Sequence, residues 1–195
     1  CAVRSDGRSA SLTAPNGTAQ ARLVAAALTT AAVGMIGMVE AHGTGTSLGD
    51  PTEMGGLERA LDTRVHHVDA RGSPTCLSSS KANVGHAEPA AGLVGLLALG
   101  CKMCERVGGY NAKLRVLNPL LEPPRRGLNA SMPTNGLALH ASLLATTGVS
   151  SFGYSGTIAH AVLAAAAASA AGEDAPPVGA YRRCAFPWRE APHAF

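Results

Sequence analysis

The side chains best able to do chemistry stand in two short segments. The first reads Ala41-His42-Gly43-Thr44-Gly45-Thr46-Ser47-Leu48-Gly49-Asp50-Pro51, and the second Ser80-Lys81-Ala82-Asn83-Val84-Gly85-His86. Each follows a short apolar run of strand character, Met35 to Glu40 and Thr75 to Ser79. Loops at the C-terminal ends of strands are where α/β proteins place reactive groups. Glycine lets the chain turn sharply there and lets a ligand approach the backbone amides. Two imidazoles in such loops can donate to a developing oxyanion or move a proton near neutral pH. One histidine of this kind reads as a hydrogen-bonded core residue; two, each in a glycine-flanked loop after a strand, point to a shared site. Other chemistries fail on spacing. The first segment has neither a dinucleotide fingerprint nor the Lys-Ser/Thr of a P-loop. No His or Cys stands at zinc-ligand spacing near either loop. His66, His67, His140 and His193 lie in polar or terminal contexts and read as surface residues.

The elements that must position these loops follow from pattern. Cys1 to Gly17 is polar and broken by Asp6-Gly7, Pro15 and Asn16-Gly17, so it reads as loop. Thr18 to Leu28 is helical, with Leu23, Val24, Ala27 and Leu28 on one side. Asp50-Pro51-Thr52-Glu53 predicts a helix start: Asp50 as cap, Pro51 at the first helical position and Glu53 completing a capping box. A second helix runs from about Glu88 to Val107, apolar nearly all round and therefore expected to be buried. Asn118 to Asn135, rich in Pro and Asn, reads as a long surface connection. Thr147 to Phe152 and Thr157 to Leu163 flank Gly153-Tyr154-Ser155-Gly156 as a hairpin would. Helix, strand, helix, strand, helix, strand, strand is the order of an α/β layered structure. Residues 164–180 are Ala- and Pro-rich and read as a linker, leaving 181–195 as a tail.

Composition narrows the classes further. The chain has 195 residues, 46% of them hydrophobic and 4% aromatic, enough for a core built from Ala, Val, Leu and Gly. A formal charge of +3 without a Lys/Arg block gives no footprint for nucleic acid. The longest apolar run, Ala90 to Cys101, is too short for a membrane span. Five cysteines at wide spacing, with no signal peptide, fit reduced thiols in a cytoplasmic compartment. Cys101 and Cys104 have redox-pair spacing but read as two buried helical thiols. Cys1 in place of Met suggests a fragment.

Four motifs together resemble one family. Val39-Glu40-Ala41-His42-Gly43-Thr44-Gly45-Thr46 through Asp50-Pro51, then Lys81-Ala82-Asn83-Val84-Gly85-His86, closely resemble β-ketoacyl synthases, nearest to the ketosynthase domains of modular polyketide synthases. Asp6-Gly7-Arg8-Ser9 with Leu12 to Gly17, and Gly148 to Thr157, resemble the same domains on either side. The resemblance covers residues 1–163 and implies the second half of a thiolase-like α/β fold, a layered sheet with a buried helix. It implies decarboxylative Claisen condensation of acyl and malonyl-type thioesters on the phosphopantetheine arm of an acyl carrier protein. No metal or other bound cofactor is implied, and the parent protein is expected to be a homodimer. His42 and His86 match the family's catalytic histidines, and Lys81 its site lysine. Glu88 matches an acidic residue that, with Lys81, would hold the histidines in position and tautomer. Thr44 and Thr46 match positions along the phosphopantetheine tunnel, and Phe152 and Tyr154 the aromatic pair beside the acyl pocket.

The sequence also departs from the family. The nucleophilic cysteine belongs to the first half of the domain, which is absent, and none of the five cysteines takes its place. Cys76 before Leu77-Ser78-Ser79-Ser80 is an ordinary strand position. The chain is thus expected to begin just after the first strand of the second half, and to be inactive alone. Ile158 stands where many relatives carry Asn. Arg125-Arg126 could meet an acidic carrier, but reads as a solvated pair. Phe186-Pro187-Trp188 in the tail resembles an anchor that packs back on such domains. Two rivals remain open, a catalytically silent ketosynthase-like docking or dimerisation module and a fatty-acid synthase condensing enzyme.

Overall fold

The structure, a computed structural model, describes residues 1–7, 14–33, 36–61, 72–136, 138 and 140–165. His66, His67, Cys184, His193, most of the linker and the whole tail lie outside these residues, as does the Asp6–Gly17 motif between Arg8 and Thr13.

Asn16 opens the first helix, α1 (Gly17–Ala31), its side chain accepting from the Ala19 amide at 3.1 Å as an N-cap should. β2 (Met38–Glu40) follows, then α2 (Gly49–Ala60), β3 (Thr75–Ser78), a one-turn α3 (Lys81–Val84) and α4 (Ala91–Glu105). α5 (Glu122–Gly127), β4 (Ala130–Ser131), α6 (Ala141–Leu144) and the hairpin β5 (Thr146–Phe152) and β6 (Thr157–Ala164) complete the order, with β1 (Ala2–Ser5) at the start. The six strands form one sheet in the order β1-β6-β5-β2-β3-β4. β5, β2, β3 and β4 run parallel, while β6 and β1 add antiparallel at one edge.

Alternation along the central strands divides the core into two. Val39 and Leu77 face α1, α2 and the Leu121–Ala130 segment, where Val24, Leu28, Leu57 and Leu128 bury with them. Met38 and Cys76 point to the opposite face, against Leu99 of α4 and Val149 of β5. Because β2 and β3 are parallel neighbours, their C-terminal ends, and the two histidine segments that leave them, emerge side by side.

Several expectations need correction. Ala2–Ser5 is strand rather than loop, paired with Thr157–His160 of β6, whose edge amides it satisfies. The 118–135 segment is not a bare surface connection, since Leu121, Leu128 and Ala130 are buried beneath α2. α4 is buried only along Ala91, Gly95 and Leu99, while Leu93 and Leu97 are 60% and 61% exposed. Cys101 and Cys104 are exposed on that helix too, not buried. α2 starts after Leu48 rather than at Asp50, so the expected capping box does not form. Its two carboxylates are engaged by the preceding loop instead.

Candidate functional site

The loop after β2 is shaped by two glycines in the left-handed region, Gly43 with φ 43° and Gly45 with φ 75°. Their turns bring consecutive amides round to α2. Glu53, buried in the first half of that helix, accepts from the amides of His42 at 2.7 Å and Gly43 at 2.9 Å. Asp50 accepts from the Gly45 amide at 3.1 Å. The loop is therefore clamped from behind by two carboxylates of one helix. Burial pushes the Glu53 carboxyl up to about 7, against the opposing pull of the Gly43 and His42 amides. Burial likewise raises Asp50.

The second loop is tied to the first beneath the site. Glu40, the last residue of β2 and 1% exposed, accepts from the backbone amide of Ser80, from Ser78 Oγ at 3.0 Å and from Lys102 Nζ at 2.7 Å. Lys102 comes from α4, so one buried carboxylate joins β2, β3, the start of α3 and α4. Such a pair is costly to bury unless its remaining bonds are made, and here they are.

These supports bring His42 and His86 together, with ring centroids 6.0 Å apart and planes at 87°. Phe152 packs on His42 at 5.3 Å and donates its amide to His42 Nδ1 at 3.3 Å. The Glu88 amide donates to His86 Nδ1 at 2.8 Å. A neutral imidazole whose Nδ1 accepts carries its proton on Nε2, so each ring keeps one Nε2–H to offer. Burial, then the charges of Lys81 and His86, lower His42 to about 4, which keeps it neutral. Lys81, at the first position of α3, is itself lowered by burial, with Glu53, Glu40 and Asp50 pulling the other way.

Both rings line a cleft of about 930 Å³. Thr44, Thr46, Phe152, Tyr154 and Glu88 line it with them, whereas Lys81, expected in the same site, does not. Tyr154 forms the rim at 81% exposure, and Thr44 and Thr46 pair through their hydroxyls at 3.3 Å. Lys81 borders a second cavity on the other side of the loop. Ile158 is buried and reaches the cleft wall from β6. Arg125 and Arg126 both pair with Glu122, at 2.8 and 2.9 Å, as a local cluster on α5.

No cysteine among the described residues lines the cleft. Cys76 lies under α4, donates to the Gly109 carbonyl and is pushed up by burial to about 11, the reverse of an activated thiol. Among the described residues no cluster of His, Cys, Asp and Glu is placed to hold a metal, and no helix is long and apolar enough to cross a membrane.

The sequence reading missed three supports. Glu53 looked like a capping residue, and only the absence of an aligned helix start could have exposed its other use. Glu40 was the strand's last polar position, whose burial was readable from its apolar neighbours. The tautomer-setting donors are the amides of Phe152 and Glu88, which carry no side-chain signature.

Comparison with known proteins agrees with this architecture. The family model for the beta-ketoacyl synthase C-terminal domain matches residues 1–111. Polyketide synthase ThaG of Burkholderia thailandensis is 36% identical over 173 residues, 83% of this chain and 3% of that protein. Mycoketide-CoA synthase of Mycobacterium tuberculosis is 38% identical over 176 residues, 84% of this chain and 4% of that protein. Among solved structures, the oxazolomycin ketosynthase domain OzmH KS7 of Streptomyces albus superposes with a TM-score of 0.74 at 31% identity, over 86% of this chain and 30% of that one. The ketosynthase from module 1 of the bacillaene synthase of Bacillus amyloliquefaciens gives 0.76 at 26% identity, over 89% and 31%. The chain thus spans a few per cent of the curated relatives and under a third of the solved domains.

Proposed function

Since the chain belongs to the β-ketoacyl synthase C-terminal domain family, with the thiolase-like α/β fold of its ketosynthase neighbours, we propose that it supplies the histidine side of a polyketide synthase condensation site. The observation that carries this is the matched pair of imidazoles in one cleft, each with Nδ1 held by a backbone amide and Nε2–H left to donate.

The chemistry follows from that arrangement. A malonyl-type thioester on a carrier protein's phosphopantetheine arm enters along Thr44 and Thr46. Its carbon–carboxyl bond breaks, CO₂ leaves, and the electron pair moves onto the thioester oxygen as an enolate. Two neutral N–H donors stabilise that charge in a partly desolvated cleft better than water would. The carbanion carbon then bonds to the acyl carbonyl held on a cysteine of the first half of the domain, and that cysteine leaves as thiolate. Lys81 acts on His42 through its charge, and Glu88 acts on His86 through its amide. The acyl carrier protein and a homodimeric parent belong to the same reading.

The test uses a domain restored by a matching first half bearing the cysteine. His42→Ala and His86→Ala should each abolish condensation while acylation of the cysteine, read by mass spectrometry, partly survives. Normal condensation in either variant would remove that histidine from the mechanism. A restored domain that neither acylates nor condenses would instead mark a silent docking module.

A further inference from the structure

Behind the His42 loop lies a second cavity of about 270 Å³, which Lys81 lines but His42 and His86 do not. Its body is apolar, walled by Met54 and Leu57 of α2, Leu77 of β3, and Leu117, Leu121 and Met132. A cavity of about 150 Å³ accepts benzene, so this one has room for an alkyl chain of roughly eight to ten carbons. Its polar border is uneven. Asp50 and Glu53 touch it, but their oxygens are committed to the amides of Gly45, His42 and Gly43. Lys81 and Lys113 also line it, and among the described residues neither ammonium group makes a hydrogen bond or a salt bridge, although Glu53, Glu40 and Asp50 act on Lys81 through their charge. The acidic side chains thus have amide partners, while the two ammonium groups have no hydrogen-bond partner among the described residues.

From that asymmetry we propose that this cavity binds an amphipathic monoanion, an alkyl chain ending in a carboxylate that meets Lys81 and Lys113. The chain occupies the Leu57–Leu117–Met132 pocket, and the carboxylate accepts the charge-assisted bonds the two ammonium groups lack. Thr44 and Glu53 line both this cavity and the histidine cleft, so an occupant touches the segment that sets His42. Binding is measured without condensation.

Carboxyl-labelled octanoate is titrated into the purified 195-residue chain and followed by its carbon-13 signal. Saturable binding at one site is expected, with octanol at least about ten-fold weaker, since it loses the charge-assisted bonds to both ammonium groups. Lys113→Gln, at an exposed position that folding does not depend on, should weaken octanoate and leave octanol unchanged. Leu117→Trp should abolish both by filling the pocket. Leu97→Gln, on the exposed face of α4, should change neither. Octanol binding as tightly as octanoate, a response to Leu97→Gln with none to Lys113→Gln, or no saturable binding would each overturn the proposal.

Discussion

His160 is held neutral by the same force that lowers His42, and at greater depth. It is 1% exposed between α1 and the sheet, shares a hydrogen bond with Ser150 Oγ at 3.0 Å, and is lowered by burial to about 4. An unfolded histidine titrates near 6.5, so below that value the unfolded chain binds a proton the native state refuses. Stability from this residue is intact above about 6.5 and falls as the pH drops toward 4, by on the order of 3 kcal/mol. Urea unfolding at one fixed protein concentration should show that decline, and His160→Gln should flatten it by about one proton. An unchanged slope would mean the histidine is solvated in the native state. Glu53 has the opposite sign. Its native carboxyl is raised to about 7, so its contribution is complete below about 4.5 and is lost as the pH rises through 7. The stability gap between the natural protein and Glu53→Gln should therefore narrow from pH 5 to pH 8; a gap that widens would show the carboxylate, not the acid, to be the native form. At this scale the sequence displayed identities and not environments. His42, Lys81 and His86 were readable because glycine spacing and strand context select them, whereas Glu53 and Glu40 gain their meaning from amides 10 to 40 residues away.

Among the elements, α4 is the instructive one. Its apolar composition reads as burial on all sides, yet among the described residues only Ala91, Gly95 and Leu99 of this helix are buried, with Lys102 and Met103 reaching the sheet from beside them. Periodicity reports how much of a helix avoids water in the working protein and is silent on which chain covers it. Leu99 is fully buried against Met38 and Val149, so Leu99→Ala should cost about 2–5 kcal/mol. Leu97→Gln should change stability by less than about 0.5 kcal/mol, as an exposed position does. Thermal melts followed by circular dichroism separate the two, and equal losses would place Leu97 in a core. The hairpin β5–β6 was legible because alternation and a glycine turn are local. β1 was not, since four polar-flanked residues become strand only by pairing with β6, more than 150 positions on. The helix start at Gly49 escaped for a related reason: Asp50 and Glu53 satisfy capping rules, but the loop amides compete for the same oxygens and win.

For the molecule as a whole, the layered architecture was readable from element order, while one surface of the described residues stays apolar and exposed. One face of the sheet carries α1, α2 and the 121–130 segment and closes a core of its own. The other carries α4, from which Leu93, Leu96 and Leu97 stand exposed together along one side of the helix. Contiguous apolar surface of that kind marks an interaction site in a soluble protein. In the proposed reading it is the side on which the first half of a ketosynthase packs, and that half also brings the cysteine that no described residue supplies to the cleft. The 195-residue chain alone should therefore associate through this face and accept no acyl group. Size-exclusion chromatography should show self-association that falls when Leu93 and Leu97 are both changed to Gln. Co-expression with a matching first half should replace the self-associated species by a defined complex, and Leu93→Gln with Leu97→Gln should weaken that complex as well. The two results have one cause, since the same apolar stripe serves either partner. A monodisperse chain whose behaviour ignores both substitutions, and which becomes acylated from a carrier thioester unaided, would place the interface and the reactive thiol elsewhere.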